Sequence, residues 1–198
     1  MSDVLTIAGS PSLSSRSSTL LTHVRAILDH QGLVTDSLQI RDLNAEELVS
    51  ANANGATIRA ALEKVQQARA VIVATPVYKA SYSGVLKAFL DLLPQDGLVD
   101  KVVLPIATGA SSAHLLAIDY ALKPVLSALG AQNILRGLYV QDSQFQHLNG
   151  EVTLDVEIEK RLKSQLNSLL TALGGSQSRA FSAQLPNHEA PIRTQSSV

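Results

Sequence analysis

Short runs of aliphatic and β-branched residues alternate along this chain with stretches whose apolar positions recur every three or four residues, the pattern of strands feeding helices. Val4–Ala8 is the first expected strand, followed by a serine-rich loop and a helix over about residues 17–30. Residues 33–39 read as a second, more polar strand nearer an edge. Ile58, Ala61, Leu62 and Val65 fall at i, i+3, i+4 and i+7, one stripe of an amphipathic helix. Val71, Ile72, Val73 and Ala74 form a continuous apolar run, as in a parallel strand covered on both faces. A loop with Pro76 and Gly84 leads into a helix over about 85–93, and 102–107 is another buried strand. Pro105 sits most easily there if its missing N–H faces no partner. Gly109 separates this strand from a long helix over about 112–129, and 134–140 is the fifth strand. Ile158, Leu162, Leu166, Leu169 and Leu173 line a final helix, led by Asp155, Glu157 and Glu159, where acids suit the helix dipole. Five strands alternating with helices predict one three-layer α/β domain over 1–173, a parallel sheet with helices on both faces. Residues 174–198, opening on Gly174-Gly175, carry Phe181, Leu185 and Ile192 without a period. They read as a disordered tail, with an arm used in assembly as the alternative.

Composition narrows the function classes. The 198 residues are 45% hydrophobic and 17% charged, a globular balance with room for a core. Sixteen Lys+Arg against seventeen Asp+Glu leave a net charge of −1, which excludes a strongly basic nucleic-acid binder and an acidic electron-shuttle surface. The chain has no cysteine, which removes disulfides, thiolate metal sites and Cys nucleophiles. Its 4% aromatic content, without tryptophan, argues against a base-stacking platform. The N-terminus has no basic region, and no run approaches the roughly 20 apolar residues needed to cross a bilayer. A cytoplasmic protein, bound to neither membrane nor nucleic acid, is the expectation. His23, His30, His114, His147 and His188 are scattered without ligand spacing, so no metal site is expected among them. They, Asp119 and Asp142 read as structural.

In a parallel α/β sheet, ligands bind beyond the carboxyl ends of the strands. The first loop, Gly9-Ser10-Pro11-Ser12-Leu13-Ser14-Ser15-Arg16-Ser17-Ser18-Thr19, lacks both G-x-G-x-x-G and G-K-[ST], so a tightly gripped dinucleotide or triphosphate is not expected. It offers hydroxyls, one guanidinium and the N–H groups of a helix start, which suit a terminal phosphate. The alternative is that these serines only cap a helix and fill a turn. Thr75–Gly84 and Thr108–Ser112 should converge on the same rim. There Pro76 stiffens the backbone, Tyr78 and Tyr82 offer flat faces, and Gly109 allows a close backbone approach to a planar ring. Core-packing tyrosines in a structural turn are the bland reading of that stretch. Three loops on one edge favour a flat, phosphorylated cofactor.

These segments resemble the NAD(P)H-dependent FMN reductases of flavodoxin-like fold. The family pattern G-S-x-R-x-x-S-x-[NS]-x-x-L is met by Gly9, Ser10, Ser15, Ser17 and Leu20, with Ser12 in the usual Arg position and Arg16 as the charge that replaces it. The pattern P-x-Y-…-S-x-x-G-x-L-K is met by Pro76, Tyr78, Ser81, Gly84, Leu86 and Lys87, with Lys79 where many members have Asn. The third, Gly-rich loop is reduced to Gly109-Ala110. The resemblance spans about residues 4–170. It is closer still to the FMN reductases of alkanesulfonate monooxygenase systems, over 75–94, 101–110 and 114–129.

The resemblance implies a flavodoxin-like sandwich with strand order 2-1-3-4-5. It implies FMN phosphate contacts from Ser10, Ser15, Arg16, Ser17 and Ser18, and ring contacts from Pro76, Val77, Tyr78, Thr108, Gly109 and Ala110. NADPH, or NADH, gives a hydride to the flavin, which carries the chemistry, so no catalytic side chain is expected. Reduced FMN then leaves for an FMNH2-dependent alkanesulfonate monooxygenase that serves sulfur acquisition. The alternatives are a quinone, azo-dye or chromate reductase that retains its FMN, and a flavodoxin-type carrier. Pro124 lies inside the expected long helix and has no N–H for the carbonyl of Tyr120, so the helix must bulge or kink there. The subgroup places a π-bulge at this position, on a subunit interface of a tetramer. The resemblance therefore implies that Tyr120 lines a neighbouring subunit's flavin site; a plain proline kink is the alternative.

Overall fold

The computed structural model describes residues 2–148 and 151–174, so the stretch 175–198 read as a tail lies outside the described residues. The elements run β1 (Val4–Ala8), α1 (Arg16–His30), β2 (Thr35–Gln39), α2 (Ala45–Val49), α3 (Ala56–Gln67), β3 (Ala70–Tyr78), β4 (Ser81–Tyr82), α4 (Gly84–Leu90) and β5 (Val102–Gly109). A π-helical segment (Ile118–Leu122), α5 (Lys123–Ala128), β6 (Asn133–Ile134), β7 (Leu138–Gln141), β8 (Phe145–Leu148), β9 (Glu151–Leu154) and α6 (Val156–Ala172) follow.

The main sheet runs β2-β1-β3-β5-β6, all parallel, with β7 continuing beside β5 beyond β6. This is the flavodoxin-like order expected, with the fifth strand position shared by two short strands. Alternation across the pleat divides the core in two. Val4, Ala8, Ala70, Ile72, Leu104 and Ile106 pack with Leu20, Val24 and Leu28 of α1 and with Leu162 and Leu166 of α6. Leu5, Ile7, Val71, Val73 and Val103 face the other way, onto Ile58, Leu86, Phe89 and Leu126 of α3, α4 and α5.

Several expectations change in detail. The fifth strand, read as continuous over 134–140, is broken opposite Pro105. Leu135 donates its N–H to the Val103 carbonyl at 2.8 Å, which puts the polar groups of Val103, Pro105 and Ala107 on that side of β5. Pro105 has no N–H to give there, and the Pro105 carbonyl lies 2.8 Å from where a Cβ at Gly137 would sit. Gly137 adopts φ +87° at the break, and its N–H goes instead to the Gln165 side chain at 3.2 Å. The long helix expected over 112–129 is a tight turn at Ser112–His114, the π-helical segment and α5. The polar stretch before α6 holds the antiparallel pair β8–β9, for which Asn149-Gly150 and the alternation of Glu151-Val152-Thr153-Leu154 are the sequence signal. The short helix α2 and the two-residue strand β4 were also unexpected.

Candidate functional site

The carboxyl ends of β1, β3 and β5 lie side by side, and the three serine-, tyrosine- and glycine-bearing loops leave from them. After β1, Gly9 donates its N–H to the Ala74 carbonyl at 2.8 Å, so the loop starts locked to β3. Ser10 is buried, and its hydroxyl accepts the Ser12 N–H at 3.2 Å. Ser15 is the N-cap of α1, accepting the Ser18 N–H at 3.4 Å while sharing a 2.8 Å hydrogen bond with the fully buried Ser17 hydroxyl. The capping alternative therefore holds for Ser15, and it leaves the N–H groups of Arg16 and Ser17 as the helix's first, which have no partner inside an α-helix. No acid occupies the first turn. An anion there meets oriented donors and the positive end of a 15-residue helix.

The remaining members of that loop have specific partners. Ser18 donates its hydroxyl to Gln39 at 3.2 Å. Arg16 extends to Asp142, after β7, at 3.1 Å, rather than folding back over its own loop. The cation that lies on the loop is one sequence reasoning missed: Arg41, after β2, donates to the Ser12 and Leu13 carbonyls at 2.6 and 2.9 Å.

After β3 the chain turns back as a two-strand hairpin, Val77 opposite Tyr82 and Tyr78 opposite Ser81. Lys79 and Ala80 make the turn, both at positive φ (49° and 64°), a conformation side chains tolerate only at a cost. Tyr78 stands exposed at the rim, whereas Tyr82 packs against the α3–α4 side of the core. Burial pushes the Tyr82 phenol up, with Lys87 opposing and Asp91 adding. Of the two rings proposed as flat faces, only Tyr78 is free to serve. Ser83 links this loop to the first: its buried hydroxyl donates to the Gly9 carbonyl and accepts the Leu86 N–H at 3.2 Å, capping α4. Thr75 in turn accepts the Ser83 N–H at 3.0 Å. Ser83, just before a Gly-started helix, carries a cap signal in the sequence, whereas nothing in the sequence marks Thr75 for its bond to Ser83.

Pro76 is paired in register with Thr108, so the second and third loops begin side by side. Val77 packs inward on Ala107, Ile118 and Tyr139, Thr108 is buried, and Ala110 is exposed. Gly109 makes room for a side chain: a Cβ there would lie 2.5 Å from the Tyr139 hydroxyl, which donates to the Ser111 carbonyl at 2.6 Å. Burial raises the Tyr139 phenol, and Asp142 adds to this. Beyond Ser111 the chain enters the π-helical segment, where Lys123 donates to the Ile118 carbonyl five residues back. Pro124 then falls in the first turn of α5, where an N–H is not needed. Tyr120, on that segment, is 79% exposed.

This donor set fits a phosphate ester bearing a planar ring. Ser10, the α1 N-terminus and the Arg41-braced loop supply the polar groups, and exposed Tyr78 beside Pro76 supplies a flat face, while the space at Gly109 is taken by the Tyr139 hydroxyl. Among the described residues, no three His, Asp or Glu side chains lie together as a metal site would require, and no helix is long and apolar enough to cross a membrane.

Comparison with known proteins agrees with this chemistry. A family model described as NADPH-dependent FMN reductase matches residues 2–146. An FMN reductase (NADPH) of Pseudomonas putida (strain KT2440) is 48% identical over 172 residues, 86% of this chain and 87% of that one. An FMN reductase (NADPH) of Escherichia coli (strain K12) is 46% identical over 170 residues, 86% of this chain and 89% of that one. Among solved structures, the apo form of an NADH:FMN oxidoreductase (EMOB) superposes with a TM-score of 0.78 at 31% identity, covering 90% of this chain and 93% of that one.

Proposed function

This chain belongs to the family of NADPH-dependent FMN reductases, and from that membership we propose that it takes FMN as a diffusible substrate and supplies reduced flavin to an FMNH2-dependent alkanesulfonate monooxygenase. The activity itself is reduction of FMN by a nicotinamide cofactor, NADPH or NADH. Hydride acceptance is the chemistry FMN supplies when bound; the chain's part is to hold and orient the reactants.

In this reading Ser10, Ser15, Ser17 and Ser18 hold the phosphate through hydroxyls and first-turn N–H groups. Arg16, tethered to Asp142, contributes its charge from the edge of the site. Pro76, Val77, Tyr78, Thr108, Gly109 and Ala110 form the ring side. The observation that carries the reading is the α1 N-terminus: a capped helix start free of acids, beside a buried serine, on the rim shared with β3 and β5.

The finer assignment, to a sulfonate-linked oxygenase, is supported by the sequence resemblance over 75–94, 101–110 and 114–129 to reductases of those systems. Exposed Tyr78, Leu115, Leu116 and Tyr120 around the rim support assembly into a tetramer, in which Tyr120 lines a neighbour's flavin site. Cytoplasmic residence fits that role.

The test is NADPH oxidation in air by desalted protein, with and without free FMN. Turnover that requires FMN and saturates with it is the expected outcome. A yellow protein that turns over on quinone with no added FMN would overturn the diffusible-substrate reading in favour of a flavin-retaining reductase. Coupling to sulfite release by an added alkanesulfonate monooxygenase tests the partner.

A further inference from the structure

Arg41 lies in the short turn Ile40–Asp42 after β2, outside every loop that carries a family motif. Its Nη1 donates to two consecutive carbonyls of the first loop, Ser12 at 2.6 Å and Leu13 at 2.9 Å. Its Nε is buried without a hydrogen-bond partner among the described residues, with the Asp42 carboxylate 3.6 Å away. A buried unpaired donor is costly and needs an explanation. Here the two carbonyl bonds, not the side chain's own satisfaction, set where the guanidinium sits.

Within the segment, the Ser12 N–H bonds the Ser10 hydroxyl at 3.2 Å and the Ser12 hydroxyl donates to the Ser14 carbonyl at 2.9 Å, and Arg41 braces the same stretch from outside the loop. Ser12 and Leu13 are exposed, Leu13 at 83%. Each peptide is planar and trans, so a carbonyl turned onto Arg41 turns the next N–H the opposite way. The Leu13 and Ser14 N–H groups therefore point away from the guanidinium. Gln39, two residues earlier in the chain, accepts the Ser18 hydroxyl at 3.2 Å. The carboxyl end of β2 thus braces the loop in its middle and at the start of α1.

We propose that Arg41 is a positioning residue for the flavin phosphate, setting the donor geometry of the loop over 10–15 and thereby affinity for phosphorylated flavins. The proposal rests on the reading that this loop receives the FMN phosphate.

The test compares equilibrium binding of FMN and riboflavin to the full chain by quenching of flavin fluorescence, in the parent, Arg41→Ala and Arg41→Lys. Arg41→Ala should weaken FMN binding about 10- to 100-fold, the scale of lost hydrogen bonds from a charged donor, with riboflavin affinity unchanged. Arg41→Lys keeps the charge and one donor centre, and should fall between; it carries the same readout should the alanine variant not fold. In turnover, the loss should enter through KM for FMN. Equal weakening of both flavins, or full FMN affinity in Arg41→Ala, would overturn the assignment while the parent's preference for FMN over riboflavin upholds the phosphate reading. A parent that binds both flavins equally would overturn both.

Discussion

Gly109 and Tyr139 are a matched pair: the Tyr139 hydroxyl occupies the space a side chain at 109 would need, a Cβ there falling 2.5 Å from the phenol oxygen. From that position the hydroxyl makes the 2.6 Å bond to the Ser111 carbonyl, which ties β7 to the loop after β5. Gly109→Ala should destabilise the fold by about 1–3 kcal/mol through overpacking. Tyr139→Phe alone should cost about 1 kcal/mol, the lost hydrogen bond. Together they should cost less than their sum, because the clash disappears with the hydroxyl. Urea unfolding of the two single variants and the double variant measures this, and simple additivity would refute the pairing.

Tyr120 contacts little within the chain, as its exposure records. Tyr120→Ala should therefore change folding stability by no more than about 0.5 kcal/mol, yet alter FMN release and the mass of the assembly. Stopped-flow dissociation of FMN and light scattering read the two effects. Parent-like release from a parent-like oligomer would remove Tyr120 from the proposed site.

Lys79 and Ala80 both hold left-handed backbone at the turn joining β3 to β4. Two-residue hairpins of this kind favour Asn followed by Gly. Replacing the pair through Lys79→Asn and Ala80→Gly should relieve about 1 kcal/mol net of the entropy glycine adds to the unfolded chain, raising Tm by about 2–4 °C at this chain length. A lowered Tm would mean that the Lys79 side chain makes a compensating contact.

Glu159 accepts a hydrogen bond from His23 at 2.9 Å across the α1–α6 interface, with Lys163 at 3.3 Å. Burial works to raise its carboxyl, but the hydrogen bond and charge of His23, with Lys163, outweigh it and hold the group below the usual range. The native state thus binds this proton less readily than the unfolded chain. The resulting stability is present above the unfolded value of about 4.3 and is lost as pH falls through the lower native value. Glu159→Gln should lower stability at pH 7 and flatten its decline from about pH 5 downward. Urea midpoints from neutral pH down into the acid range provide the check, and an unchanged acid slope would contradict it.

The local chemistry of single segments was readable from sequence. Val71–Ala74 declares a strand buried on both faces because every position is apolar. Pro124 announces a disturbed helix because a missing N–H is a covalent fact, and the π-helical segment ends where that N–H would be needed. Pro105 foretold an unpaired place in the ladder, though not that the neighbouring strand would be cut in two there. The Ser-rich loop was recognisable as a helix start with free donors for the same local reason.

The residue pattern by itself thus marks the buried parallel strands, the amphipathic helices and the loops that carry donors, but not α2, β4 or the β8–β9 pair. The tertiary structure decided which groups meet. Arg41 reaches Ser12 across 29 residues, and Ser83 reaches Gly9 across 74. Both contacts exist only because β1 lies between β2 and β3 in the sheet. Arg16, the apparent cation of the first loop, is drawn to Asp142 because β7 ends within its reach. Hydrophobic periodicity records which face of an element is buried. It holds no information on which neighbour a polar group will find, since that depends on strand order and register, set by the packing of the whole sheet.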